Sequence, residues 1–217
     1  MKHPNLFQSY TFNNGVTVSN RLAVAPMTHL ASDDNGHITD EERLFLTDRF
    51  QGIGLFISAA TLVHEGGKAF YGQPEAIGTE DLPSLREVAR IAHDQGAKAL
   101  LQIHHGGWQS IPELNPNGEI FAPSEHPETG AKALTEAQIL SIIDGYGRAA
   151  ELALEAGFDG VEIHGANNYL IQQFFSAQSN RRTDAWGGSL QNRLRFPLAV
   201  VDAVTAVRDK HAKPEFI

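Results

Sequence analysis

Four short apolar runs punctuate this chain, and each is followed by a stretch with helical periodicity. The runs are Leu22–Ala25, Gly54–Ser58, Ala99–Ile103 and Val161–Ile163. Near-continuous apolar strands that alternate with amphipathic helices call for a parallel sheet covered by helices. The spacing predicts those helices over 40–49, 82–95, 136–156 and 191–210. Thr39 with Glu42, and Thr135 with Gln138, have the spacing of capping boxes at two of the starts. Gly96 and Gly157 follow the second and third helices as stop signals. The last helix carries Leu194, Leu198, Val201, Val204 and Val207 as its expected apolar stripe. Pro197 should kink it near its start or mark its first turn. Ahead of all this, Tyr10–Phe12 and Val16–Val18 flank Asn13-Asn14-Gly15, the pattern of a β-hairpin. Lys213–Ile217 reads as the opening of a further strand.

Two architectures share that order, an open doubly wound sheet and a closed (β/α)8 barrel. No Gly-x-Gly-x-x-Gly follows any strand, which weakens the dinucleotide-binding form of the open sheet. Polar groups gather at the strand ends instead: Thr28, Thr61, Gln102 with His104, and His164. A barrel builds its active site from that end of its strands. The expected fold class is therefore α/β, a TIM (β/α)8 barrel with an N-terminal β-hairpin. A closed barrel takes about 250 residues, against 217 here. The chain is accordingly expected to be one domain, 1–217, truncated to the first four βα units and the start of strand five.

Composition narrows the chemistry. With no cysteine, thiolate nucleophiles, disulfides and zinc–thiolate sites are excluded. The formal net charge of −9 argues against a nucleic-acid partner, which needs a basic face. No run approaches the ~18 apolar residues of a membrane span, and the first residues lack the apolar core of a secretory signal. A cytoplasmic location and no membrane partner are expected. His104 and His105 are adjacent on an extended segment and so face opposite ways, which leaves no metal site. No Gly-x-Ser-x-Gly elbow marks a serine nucleophile.

The longest connection runs from His164 to Gly188 and starts with an imidazole, two amides and a phenol: His164, Asn167, Asn168 and Tyr169. Loops of this length in compact domains are usually functional or disordered, and this one is too aromatic for disorder. His164 and Asn167 can offer two N–H donors to one carbonyl oxygen as it gains negative charge. Tyr169, protonated at neutral pH, can supply a proton to a carbanion or enolate. That set suits addition of hydride to an activated double bond. Gln102, with a donor and an acceptor, can read the N–C=O edge of a flat heterocycle. Thr28 adds a hydroxyl, and Pro26, Met27 and Ala60 allow backbone to approach a flat ring.

These residues resemble a known family. Asn20-Arg21-Leu22 with Ala25-Pro26-Met27-Thr28, Ala59-Ala60-Thr61 and Gln102-Ile103-His104-His105-Gly106-Gly107 are similar to motifs of the Old Yellow Enzyme family of FMN-dependent ene-reductases. His164-Gly165-Ala166-Asn167-Asn168-Tyr169, Asn180-Arg181-Arg182-Thr183-Asp184 and Gly187–Arg193 carry the most specific part of the likeness. The resemblance implies FMN at the C-terminal mouth of the barrel, touched by Pro26, Met27, Thr28, Ala60, Gln102 and His164. It implies His164 and Asn167 on the carbonyl of an α,β-unsaturated substrate, an enone, with Tyr169 as proton donor and NADH or NADPH as reductant. Trp108 stands where the family commonly has arginine. The family also implies a flavin-contacting arginine beyond Ile217 and a phosphate site after strands seven and eight. The 217 residues alone are therefore expected to be inactive. Unpaired first and last strands favour a homo-oligomer. The rival readings are another FMN barrel oxidoreductase, such as one acting on dihydroorotate, and a non-catalytic half-barrel serving binding or assembly.

Overall fold

The computed structural model describes residues 3–217. A hairpin opens it: β1 (Tyr10–Thr11) pairs antiparallel with β2 (Thr17–Val18). Its turn takes positive φ only at Gly15 (φ 89°), while the Phe12 amide donates to the Val16 carbonyl at 2.8 Å and Gly15 to Phe12 at 2.9 Å. The extra residue is therefore absorbed at a single left-handed glycine, a common solution for longer hairpin loops.

The main sheet holds β3 (Ala23–Val24), β4 (Leu55–Ile57), β5 (Thr61–Leu62), β6 (Lys98–His104) and β9 (Gly160–Ile163). Its pairings β3·β4, β4·β6, β5·β6 and β6·β9 are all parallel. Helices α1 (Asp40–Leu46), α2 (Leu82–Asp94), α3 (Glu136–Ala156) and α5 (Leu190–Lys210) follow the strands in turn. This is the strand–helix alternation of a TIM barrel, and the sheet forms its first part. At the far edge the Ile217 amide donates to the Asp159 carbonyl at 2.9 Å, and the Val161 amide to the Ile217 carbonyl at 3.1 Å. Ile217 thus begins to pair beside β9, as the closing residues suggested. The small pair β7 (Phe121–Ala122) and β8 (Lys132–Ala133) lies outside the main sheet.

Side chains alternate across each strand, and the alternation separates two faces. Ala99, Leu101, Ile103 and Val161 pack with the helices in the main apolar core. Leu100, Gln102 and His104 on β6, and Glu162 on β9 with His164 just beyond it, face the other way, into the concave side. β4 and β5 are one strand interrupted. Ile57 pairs with Leu100 and Thr61 with Ile103, so three residues (58, 59, 60) oppose two (101, 102). The Ser58 hydroxyl bridges this bulge: it accepts the Gln102 amide at 2.9 Å and donates to the Ala59 carbonyl at 3.0 Å. A bulge of this kind re-aims the backbone it carries, here Ala59 and Ala60 at the mouth.

Several expectations need correcting. At the start of α1, Thr39 does accept the Glu42 amide at 3.1 Å, but Glu42 does not complete the box. The residue is 2% exposed, and its carboxylate accepts the Ser32 hydroxyl at 2.8 Å and lies 3.3 Å from His29 Nε2. The box at Thr135 and Gln138 is complete. Helix α1 ends at Leu46, short of the expected 49, because Thr47 is extended and Asp48 is left-handed. In α5, Ser189 caps the helix and Pro197 is interior, so Pro197 does not mark the first turn. The stripe is also displaced. Phe196, Val200 and Val207 are buried, whereas Leu198 and Val201 are 57% and 44% exposed. The connection after His164 is not wholly irregular, since α4 (Leu170–Phe175) forms within it and buries Leu170, Ile171, Gln173 and Phe174.

Candidate active site

The concave face and the strand ends bring three rings together. His104 closes β6, while His164 and Tyr169 follow β9. The ring centroids lie 4.4 Å apart for His104–Tyr169, 5.2 Å for His104–His164 and 5.1 Å for His164–Tyr169, each pair edge to face. Phe70 extends the cluster at 5.8 Å from His104 and 6.0 Å from Tyr169.

Hydrogen bonds fix which nitrogen carries the proton on these imidazoles. Gln73 Nε2 donates to the Ala60 carbonyl at 3.1 Å and to His104 Nδ1 at 3.1 Å. The Ala166 amide donates to His164 Nδ1 at 3.4 Å. With Nδ1 accepting in both, the N–H of each neutral ring lies at Nε2. Burial pushes the His104 pKa down to about 3, helped by its neighbour His164. Burial also lowers His164 and raises Tyr169. Both imidazoles are thus neutral donors and the phenol keeps its proton at neutral pH.

Gln102 is buried one pleat below His104 and stands opposite Glu162 in the register. Its Nε2 points to Glu162 Oε2 at 3.5 Å, and burial raises the Glu162 pKa. Ala60 is buried at the bulge, with its carbonyl taken by Gln73. Pro26 and Thr28 are half-buried in the segment leaving β3, and Met27 between them is 62% exposed. Asn167 is exposed and left-handed (φ 55°), as is Asn168 (φ 62°). Gln109 Nε2 holds this turn by donating to the Asn167 carbonyl at 2.9 Å and the Asn168 carbonyl at 2.8 Å. Among the described residues the Asn167 side chain makes no hydrogen bond to His164 or Tyr169. The backbone turn, not an amide contact, therefore sets its position.

Two participants were absent from the sequence reading, Gln73 and Phe70, and His104 was read there as a polar strand-end group without a role. His104 was legible, since it shares the parity of Gln102 on one strand. Gln73 and Phe70 sit in an aperiodic segment between β5 and α2, where no pattern reports which way a side chain turns. The other histidine behaves as expected. His105 faces away from the mouth, with its ring 5.9 Å from His64. Among the described residues no cluster of His, Asp and Glu has the arrangement of a metal site.

The donor set is of a kind that a flavin needs. Ala25 and Met27 are left exposed beside β3, an apolar surface that a planar ring would cover, and Gln102 lies on the same concave face with an amide to read such a ring's edge.

Comparison with known proteins agrees with this reading of the fold. Residues 5–212 match the model of the NADH:flavin oxidoreductase / NADH oxidase family. A probable NADH-dependent flavin oxidoreductase of Bacillus subtilis (strain 168) is 48% identical over 219 aligned residues. The match covers 100% of this chain and 59% of the relative, so the chain spans under two thirds of that protein's length. Morphinone reductase in complex with tetrahydroNAD superposes with a TM-score of 0.85 at 32% identity, over 94% of this chain and 61% of that one. Old Yellow Enzyme from Pichia sp. AKU4542 gives 0.87 at 28% identity, over 94% and 56%. The chain belongs to the NADH:flavin oxidoreductase / NADH oxidase family.

Proposed function

We propose that this chain forms the catalytic mouth of an FMN-dependent oxidoreductase that uses NADH or NADPH to reduce the C=C bond of α,β-unsaturated carbonyl compounds. The observation that carries the reading is the cluster of two neutral imidazoles and a protonated phenol where β6 and β9 end. Family membership and the names of the relatives support the cofactor and the reductant.

FMN, when bound, supplies a hydride to the β-carbon of the substrate. Pro26, Met27, Thr28, Ala60 and Gln102 are the residues that would hold its ring system. Thr28 contributes a hydroxyl, Gln102 an amide, and the others backbone and small apolar surface. His164 Nε2–H and the Asn167 amide hold the substrate's carbonyl oxygen and stabilise the charge that develops there. Both donate without being charged, so neither needs a counter-ion in a partly buried site. Tyr169 delivers its proton to the α-carbon. Burial raises its pKa, which keeps the phenol loaded and directs it towards a strongly basic acceptor such as an enolate. His104 backs both rings and fixes their edge-to-face packing.

The reading is tested by titrating FMN with the 217-residue chain and recording the visible spectrum of the mixture without desalting, because the phosphate site that the family resemblance implies is not among these residues. A shift of the flavin bands that saturates with added protein is expected. A flavin spectrum unchanged by excess protein would refute a flavin site in this chain.

A further inference from the structure

A cavity of about 250 Å³ lies on the helix side of the sheet, between His105 and the first turns of α3, and none of the three rings of the candidate site lines it. That volume is just below the ~300 Å³ at which drug-sized pockets begin, so its occupant is small. The walls are apolar: Leu134 and Ile142 are buried there and Phe121 is half-buried. His105 is set into the wall at 1% exposure. Its ring seats against Gly67, where a Cβ would come within 2.5 Å of it. The Gly107 amide donates to His105 Nδ1 at 3.1 Å, which puts the proton of the neutral ring on Nε2. Burial, with His64 and His104 beside it, holds its pKa well below the ordinary imidazole value. Nε2 is buried and, among the described residues, has no hydrogen-bond partner. A buried donor without an acceptor is costly. His64, on the same wall, is already satisfied: its Nδ1 accepts the Gly66 amide at 3.2 Å, and its Nε2 donates to Ser141 Oγ at 3.2 Å. The rim carries charge. Glu119 is paired with Lys132, whereas exposed Glu65 has no hydrogen-bond or ion-pair partner among the described residues. Among those residues no lysine or arginine lines the cavity.

We infer that this cavity is a second small-molecule site, and that it takes a primary amine whose apolar body ends in a carbonyl oxygen. The oxygen supplies the acceptor that His105 Nε2–H lacks. The body covers Leu134, Ile142 and Phe121, and takes that surface out of water. The ammonium stays at the rim beside Glu65. A carboxylate in its place meets an unneutralised like charge, which selects against anions. The two polar contacts are unequal. A hydrogen bond to a buried donor changes affinity more than an exposed ion pair does. The oxygen therefore sets the affinity, and Glu65 sets the sign of charge. The site and the mouth share backbone but no cavity. His105 follows His104, and its carbonyl accepts the Leu170 amide at 3.1 Å, one residue past Tyr169.

The test is calorimetric titration of the 217-residue chain, without flavin or turnover, with three ligands of one shape. The probe para-acetylbenzylamine has all three features. In para-ethylbenzylamine a methylene replaces the carbonyl, and in para-acetylbenzoate a carboxylate replaces the aminomethyl group. The probe should bind at least fivefold tighter than the ethyl compound and at least threefold tighter than the benzoate. Taking the oxygen from the ligand tests the His105 contact without altering a buried residue. Glu65→Lys, at an exposed position, should reverse the order of the probe and the benzoate. Absence of probe binding, equal affinity for the ethyl compound, or an unchanged order in Glu65→Lys would each overturn the inference. Because no flavin is present, either result leaves the functional reading above untouched.

Discussion

The Gln73 side chain does more for the site than its place in an aperiodic loop suggests. Its amide reaches both the Ala60 carbonyl and His104 Nδ1, so one residue sets the tautomer of a ring that is completely buried. The His104 pKa near 3, against an ordinary value near 6.5, has a consequence for stability. The unfolded chain takes up this proton near pH 6.5 and the folded chain only near pH 3. The stabilising contribution is therefore complete above pH 6.5 and is lost progressively as pH falls towards 3. His104→Leu should flatten the fall in urea midpoint between pH 6.5 and 4, whatever it does to the midpoint at pH 7. An unchanged slope would assign that fall to other groups. His164 gives a prediction of a different kind. Losing one oxyanion donor costs about 3 kcal/mol in the transition state. In an FMN-loaded protein that includes the rest of the barrel, His164→Ala should therefore lower kcat/KM for enone reduction roughly a hundredfold. A loss under threefold would remove His164 from that role.

At the level of elements, what the sequence made legible depended on how local the cause was. The Thr135 box could be read because both partners lie within one turn and nothing else competes for Gln138. The same pattern at Thr39 misled. Ser32 and His29 offer the Glu42 carboxylate buried partners that the short-range pattern does not encode. Helix α4 was hidden because the polar run His164–Tyr169 leads straight into it, and six residues are too few to display a period. The α5 stripe was displaced because Leu198 and Val201 have the right spacing but the wrong face, and only packing against α3 and α4 decides between faces. The bulge at Ser58 had no signal at all. It contains no glycine, and the amide that Ser58 accepts belongs to Gln102, far along the chain. Ser58→Ala should leave that buried N–H without a partner and cost about 1–3 kcal/mol, read as a lower urea midpoint with unchanged m. A loss below 0.5 kcal/mol, an order-of-magnitude threshold, would mean that the backbone closes the bulge unaided. The strand order and the polar ends of β6 and β9 were legible because apolar strands with polar termini leave few alternatives.

Across the whole molecule, the sheet is open. Among the described residues β3 pairs only with β4, so one side of a short strand offers free backbone groups. Sheets left in that condition recruit another strand. Sedimentation velocity over a hundredfold range of concentration should show a rising weight-average sedimentation coefficient for the 217-residue chain. A coefficient independent of concentration would mean that the hairpin of β1 and β2, or the chain leading into β3, protects the edge. The candidate site lies at the other end of this sheet's order, on β6 and β9. Of these, β6 is interior, whereas β9 is the far edge strand, flanked on its outer side, among the described residues, by Ile217 alone.

The tie from Gln73 to the end of β6 also bears on how such a protein can change. Loops at a barrel's mouth are ordinarily the part that varies in length without penalty. Here the stretch between β5 and α2 is fastened at Gln73, and Lys68 fastens it again, bonded to Glu75 at 2.7 Å and to the Asp34 carbonyl at 3.0 Å. Residues added or deleted between those anchors would shift the amide that orients His104, while the same changes around Thr79 would not. In a library of loop-length variants, survivors should cluster on the helix side of Glu75, and the barrel's freedom to acquire new substrates would run through one half of that loop only.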